Sequence, residues 1–193
     1  MTLERTIHID QIGPVRFERS KRAQRLNISL RPFAGIRVAV PPGVPLHTAR
    51  KFVLSKQRWL ARRTDQMRET EAQHQWMVDA LRDLEPSSVK KELRQRLDDL
   101  SQRHMLPYNA MTLRHQKTRW GSCSSQNNIS LNIQLVLLPD EFCDYVLTHE
   151  LVHTEVKNHG TKFWEHLGKI IDHPKRVDSQ LRQYPIIPRE IIG

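Results

Sequence analysis

Residues 129–153 constrain this chain more than any other stretch. Ile129, Leu131, Ile133, Leu135 and Leu137 alternate with Ser130, Asn132 and Gln134, the period-two pattern of a strand with one face in a core. Leu138-Pro139-Asp140-Glu141 follows. Proline suits the first turn of a helix, and the two acids suit the positive end of its dipole. Over the helix expected for residues 140–158, Phe142, Val146, His149, His153 and Val156 recur at spacings of four, three, four and three, so they share one face. A half-buried strand that runs into an amphipathic helix implies a small antiparallel sheet packed against that helix.

The same helix carries His149-Glu150-Leu151-Val152-His153, an H-E-x-x-H pattern. At about 100° per residue the two imidazoles lie about 40° apart and one turn along. Both can reach one cation at about 2.0–2.1 Å. Glu150 projects beside them and is the candidate to take a proton from a water at that cation. A catalytic zinc needs a third protein ligand and an open position. His159 follows six residues after His153, about 240° away on a continuous helix. Asn158-His159-Gly160 is, however, a helix stop, because Asn and Gly tolerate the left-handed conformation. A turn there returns His159 to the metal. Lys162–Ile171, with Phe163, Trp164, Leu167 and Ile170, reads as a following helix packed under the site. The remaining histidines, His8, His47, His74, His104, His115, His166 and His173, have no partner at ligand spacing and read as surface or packing residues.

The N-terminal part reads as short antiparallel strands. Residues 6–9 and 15–18 alternate around Gly13-Pro14; Leu26, Ile28 and Leu30 precede a turn at Pro32–Gly35; Ile36, Val38 and Val40 precede Pro41-Pro42-Gly43. From residue 46 to about 83 the period becomes helical, with Ala49, Phe52, Val53, Trp59 and Leu60 among Arg and Lys. A further helix starts near Pro86-Ser87-Ser88, where a serine can cap, repeats Val89, Leu93, Leu97 and Leu100, and ends near Met105–Pro107. The expected architecture is α+β: a β-rich segment at 1–45, a helical connector at 46–85 and a catalytic half at 86–193.

Charge and composition narrow the classes of function. Thirty-one Lys and Arg oppose 21 Asp and Glu, giving +10. Such an excess steers a protein to nucleic acid, to phosphate-bearing molecules or to an acidic surface, or is simply a solvated face. No apolar run approaches the roughly 20 residues of a membrane span, and Met1–Arg5 lacks a basic-then-apolar signal. A cytoplasmic protein without membrane contact is expected. Two cysteines, Cys123 and Cys143, do not make a disulfide framework.

Thr118-Arg119-Trp120-Gly121-Ser122-Cys123-Ser124, Ile129–Asn132, Leu135–Pro139, Tyr145–His153, Asn158–Gly160 and Phe163-Trp164 together resemble the YgjP-like metal-dependent hydrolases. Arg22–Arg31, Val38–Pro41 and Phe52–Trp59 fit the same resemblance. It implies a zincin-type catalytic half similar to the SprT-like minimal metallopeptidases. Its pattern assigns His149, His153 and His159 to one Zn2+ (or another divalent metal) and Glu150 to the general base. Val152 stands where the family tends to have a small residue, and Thr154 where it tends to have an apolar one. Members are described both as metallopeptidase-like and as nucleoside-triphosphate pyrophosphatases acting on pyrimidine nucleotides such as UTP.

Three functions follow from these expectations. In a peptidase, Ile129–Leu137 is the edge strand that receives the substrate, and Ser130, Asn132 and Gln134 border the cleft. In a nucleotide hydrolase, Lys117 and Arg119 face the phosphates and Trp120 stacks a base; otherwise these three belong to a solvent face, an ion pair and the core. In a nucleic-acid-associated protein, Arg16–Arg31 and the helix Arg50–Arg63 form an electrostatic footprint. Gly121, Ser122 and Cys123 are placed for a tight backbone approach to the metal helix, with Cys123 as an alternative fourth ligand that would close the site.

Overall fold

The computed structural model describes residues 4–192. The chain divides into two compact units, Met1–His74 and Gln75–Gly193. The boundary falls inside the helical span 46–85. Among the described residues, no helix is long and apolar enough to cross a membrane.

The first unit is a four-stranded sheet with two helices. Strands β1 (Glu4–Ile9), β2 (Gly13–Arg19), β3 (Asn27–Arg31) and β4 (Gly35–Val40) lie in the order β1-β2-β4-β3. The β1–β2 and β3–β4 pairs are antiparallel hairpins, but β2 and β4 run parallel, Val15 facing Ile36. This corrects the purely antiparallel meander. The chain leaves β2, forms the β3–β4 hairpin as a block, and docks it by β4. Ser20 N–H bonds Val40 C=O, and Arg19 donates to the carbonyls of Pro41 and Val44, both at 2.7 Å. Those bonds secure the two parallel strand ends. Helices α1 (Leu46–Leu54) and α2 (Gln57–Gln73) follow. Val15, Phe17, Val38, Val40, Ala49, Val53 and Leu60 are fully buried and form this unit's core.

The second unit holds α3 (Gln75–Asp83), α4 (Pro86–His104), β5 (Ala110–Arg114), β6 (Gly121–Cys123), β7 (Asn128–Asn132), α5 (Asp140–Val152), α6 (Thr161–Gly168) and α7 (Pro174–Leu181). The sheet order is β5-β7-β6, with β7 antiparallel to β6 but parallel to β5, which corrects the small antiparallel sheet expected against the H-E-x-x-H helix. Helix α4 buries Val89, Leu93, Leu97 and Leu100 as the sequence pattern requires. Its cap is Glu85 rather than a serine: the Glu85 carboxylate accepts from the backbone N–H groups of Ser87 and Ser88.

Two boundaries differ from expectation. Strand β7 stops at Asn132, and Ile133–Leu137 is a 3-10 turn. Asn132 Oδ1 accepts the Gln134 N–H at 3.3 Å, a local side-chain bond that caps the turn. The Gln134 amide is buried and pairs reciprocally with the Ile187 backbone, 53 residues away. Helix α5 is buried on nearly every side, Phe142 to Val152 included, rather than along one stripe. Arg96 of α4 holds its first turn by bonds to Asp140 and Asp144 at 2.6–3.0 Å.

Bonds from Ser87 and Ser88 hold the Glu85 carboxyl down at about 2, against an ordinary value of 4.5. Its capping contribution is therefore complete above pH 4.5 and is lost as pH falls toward 2. Glu85→Gln should lower the melting temperature at pH 6, and the gap to wild type should shrink as pH approaches 2. Thermal melts across pH 2–7 check this.

Candidate metal centre

Helix α5 ends at Val152, six residues short of its expected end, with His153 as its C-cap. Thr154 N–H bonds Leu151 C=O and Glu155 N–H bonds Val152 C=O, so the last turn tightens. The reversal then uses no left-handed residue. Asn158 Oδ1 accepts the Gly160 N–H at 3.1 Å, and Gly160 (φ −70°) opens α6. This side-chain turn, a local Asx-type bond, carries His159 back to the end of α5.

The three histidines meet. His159 Nε2 lies 2.9 Å from His149 Nε2 and 3.1 Å from His153 Nε2. The ligating atoms all lie within 4.8 Å of one another, and they are the one such His/Cys/Asp/Glu cluster among the described residues. Phe163 of α6 forms the floor. Its ring centroid is 4.5 Å from that of His153, nearly parallel, and 4.8 Å from those of His149 and His159. His153 Nδ1 lies 2.8 Å from Val156 C=O. That bond places the ring proton on Nδ1 and leaves Nε2 bare toward the cluster.

The group fits a cation. Metal–nitrogen bonds of about 2.0–2.1 Å at tetrahedral angles separate ligand nitrogens by about 3.3 Å, close to the observed spacings. Burial drives His149 down to about 3, helped by His153 and His159, and also lowers His153. These rings are neutral at pH 7, the form that binds a metal. His153 is buried, His149 half-buried and His159 exposed, so the exposed side of the cluster stays open. A cleft of about 580 Å³ lined by Gly160, Thr161, Trp164 and Lys175 adjoins His159.

Glu150 follows His149 on α5 and sits in a dry place, 6% exposed. Burial pushes its carboxyl up to about 8, opposed by the Arg119 charge and a bond from the Cys123 backbone. Its Oε2 has no partner. Strand β6 passes directly over it. A Cβ on Gly121 would lie 2.7 Å from Glu150 Cγ and 2.8 Å from Oε1, closer than side-chain carbons approach. The requirement for glycine at 121 is thus steric. Lys157 ties the residues after α5 to the β6–β7 turn by bonds to Ser124 C=O (3.0 Å) and the Asn127 side chain.

The remaining expected site residues separate. Arg119 is exposed and close enough to act on the Glu150 charge. Lys117 pairs with Glu190. Trp120 is half-buried against the core. Asn132 is fully buried, and its Nδ2 bonds the carbonyls of Gln116 and Arg119, both at 3.0 Å. It holds the 116–119 loop and is out of reach of a substrate. Gln134, beyond the end of β7, is buried in the same way, and Ser130 is half-buried with its hydroxyl 2.9 Å from that of Thr112, so Asn132 and Gln134 do not border a cleft. Strand β7 is central in its sheet, and the edge beside Glu150 is β6. Cys123 lies outside the histidine cluster, with its thiol 3.9 Å from Lys157 Nζ. The role of Phe163 as a common floor was not legible beyond its place on an apolar helix face.

Fold and site together define a metallopeptidase-like domain with a three-histidine cluster suited to a metal ion. A family model described as YgjP-like, metallopeptidase domain, matches residues 64–184. The chain belongs to this YgjP-like family. No curated protein matches the sequence. Two solved structures are similar: the metallopeptidase zymogen abylysin of Pyrococcus abyssi (20% identity, TM-score 0.42, 49% of this chain and 99% of the other) and the metallopeptidase zymogen jannalysin of Methanocaldococcus jannaschii (20%, 0.42, 47% and 94%).

Gly121→Ala should displace the Glu150 carboxylate while leaving the three imidazoles in place. Metal stoichiometry should stay at the wild-type level while any metal-dependent hydrolysis falls by at least tenfold, as measured by metal analysis beside a turnover assay.

Proposed function

We propose that this protein is a zinc-dependent peptidase in which His149, His153 and His159 hold the metal and Glu150 is the general base. The observation that carries the reading is a desolvated, half-partnered carboxylate one residue along α5 from the first of three imidazoles whose nitrogens come together. A divalent cation held there supplies Lewis-acid polarisation of a carbonyl and acidifies a solvent molecule. Glu150 accepts the proton of the attacking water at its open Oε2 and passes it to the leaving amine. A carboxyl at about 8 without metal falls when a cation binds beside it, which sets it close to working pH. Arg119 adds a further positive charge near the same carboxylate.

Strand β6 supports a peptide substrate. Trp120 C=O and Ser124 N–H bond β7, so the alternation of an antiparallel ladder turns the backbone groups of Gly121 and the Cys123 C=O to the other edge, where the Cys123 N–H already bonds Glu150. An extended peptide added there would run beside Glu150. The nucleotide reading drew its support from the basic excess, and that excess is not a property of the unit that carries the site. The second unit has 16 Lys and Arg against 15 Asp and Glu.

The zinc-loaded protein should cleave an unstructured polypeptide. Glu150→Gln should retain zinc and lose turnover by about 100-fold or more. His159→Ala should lose most of its zinc. Metal analysis of each variant, beside peptide and nucleoside-triphosphate turnover, tests the reading. Activity retained in Glu150→Gln, or turnover of the triphosphate alone, would reject it.

A further inference from the structure

The positive charge of this chain is concentrated in the first unit. Met1–His74 holds 15 of the 31 Lys and Arg but only six of the 21 Asp and Glu, so nine of the ten excess charges lie in 74 residues. Several of those few acids are already engaged. Glu18 pairs with Arg37 at 2.5 Å, Asp65 with Arg68, and Glu71 accepts the Phe33 N–H. The unit keeps a clear positive excess.

One face of this unit combines that field with an aromatic platform. Strand β3 is an edge strand, and α2 packs beside it. Trp59 of α2 stands there 45% exposed. Two clefts flank it and share it as a wall. One, of about 570 Å³, is lined by Arg25, Phe52 and Lys56; the other, of about 450 Å³, by Arg63, Gln66 and Thr70. Ile28 of β3 lines both, so the two adjoin along the strand edge. Lys56 and Arg63 stand three residues before and four after Trp59, on the same side of the chain's helical path, and Arg25 reaches in from the strand side. Arg25 and Lys56 have no ion pair among the described residues, and Arg63 bonds only Gln66.

We propose that this groove binds single-stranded nucleic acid, with a base stacked on Trp59 and the flanking phosphates met by Arg25, Lys56 and Arg63. An exposed indole set between cations suits unpaired bases, whose faces are open to stacking and whose backbone carries regularly spaced negative charge. A duplex hides those faces. An acidic peptide would use the cations but not the ring. The groove lies wholly in the first unit and is independent of the metal centre, so this inference and the peptidase reading stand or fall separately.

The test uses the full-length protein and labelled oligothymidylate of about 16 nucleotides, a length within the range of single-strand sites. Oligouridylate of the same length, the thymidylate annealed to oligoadenylate, and polyglutamate serve as comparison ligands. The single strand should bind at about 50 mM salt and weaken with a log–log slope near two, as three phosphate contacts require. Trp59→Ala should weaken binding about tenfold, and Trp59→Phe should restore most of it. Lys56→Ala and Arg63→Ala should each lower the salt slope by about 0.7; they carry the test if Trp59→Ala fails to fold by circular dichroism. A chelator should change nothing. Either sugar supports the proposal, and the preferred one names the natural strand. Equal or tighter binding of duplex or polyglutamate, no binding at low salt, an unchanged Trp59→Ala, or loss of binding with chelator would overturn it.

Discussion

The crowding of three imidazoles over one buried phenyl ring is the constraint on which the catalytic unit is organised. The Nε2 atoms of His149 and His153 are brought to within 2.9–3.1 Å of that of His159, and burial disfavours the charged forms of His149 and His153. The surrounding packing must hold them together. Helix α5 is fixed from all sides: by α4 through Arg96, by β6 through the Gly121 approach, and by α6 through Phe163. The arrangement is stable only as a whole, because each contact places an imidazole or Glu150 rather than itself. A cation held there would satisfy all three nitrogens at once.

Glu150 depends on the same packing. A carboxyl this buried prefers to keep its proton, and the one backbone donor from Cys123 offsets only part of that preference. Glycine at 121 lets the strand come close enough to supply this donor, and any side chain there would occupy the carboxylate's own space. The β6 backbone and the Glu150 carboxyl of α5 are thereby held in a single geometry.

The two units solve different physical problems. The second is nearly neutral and concentrates its polar chemistry in one small, dry cluster. The first carries almost all of the net charge on a small sheet and two helices. A mean over the whole chain conceals this separation. The +10 of the sequence argued for phosphate chemistry at the metal, although nearly all of it belongs to the other unit.

Local patterns in the sequence determined the strands of the first unit, the apolar stripe of α4, and the spacing that presents His149, Glu150 and His153 together. Helical periodicity and alternation act over a few residues and need no distant partner. His159 was legible too, as a histidine beside a chain-reversing Asn and Gly, although the reversal uses an Asn158 side-chain bond rather than left-handed backbone. Only the tertiary structure decided that β2 and β4 run parallel, that β7 lies in the middle of its sheet, and that Asn132 and Gln134 face inward. Their partners lie outside any local window: Gln134 bonds a backbone 53 residues on, and a polar residue with such a partner looks, in sequence, the same as one facing water. Strand order, sheet edges and the satisfaction of buried amides are set by contacts between distant segments, and periodicity along the chain carries no record of them.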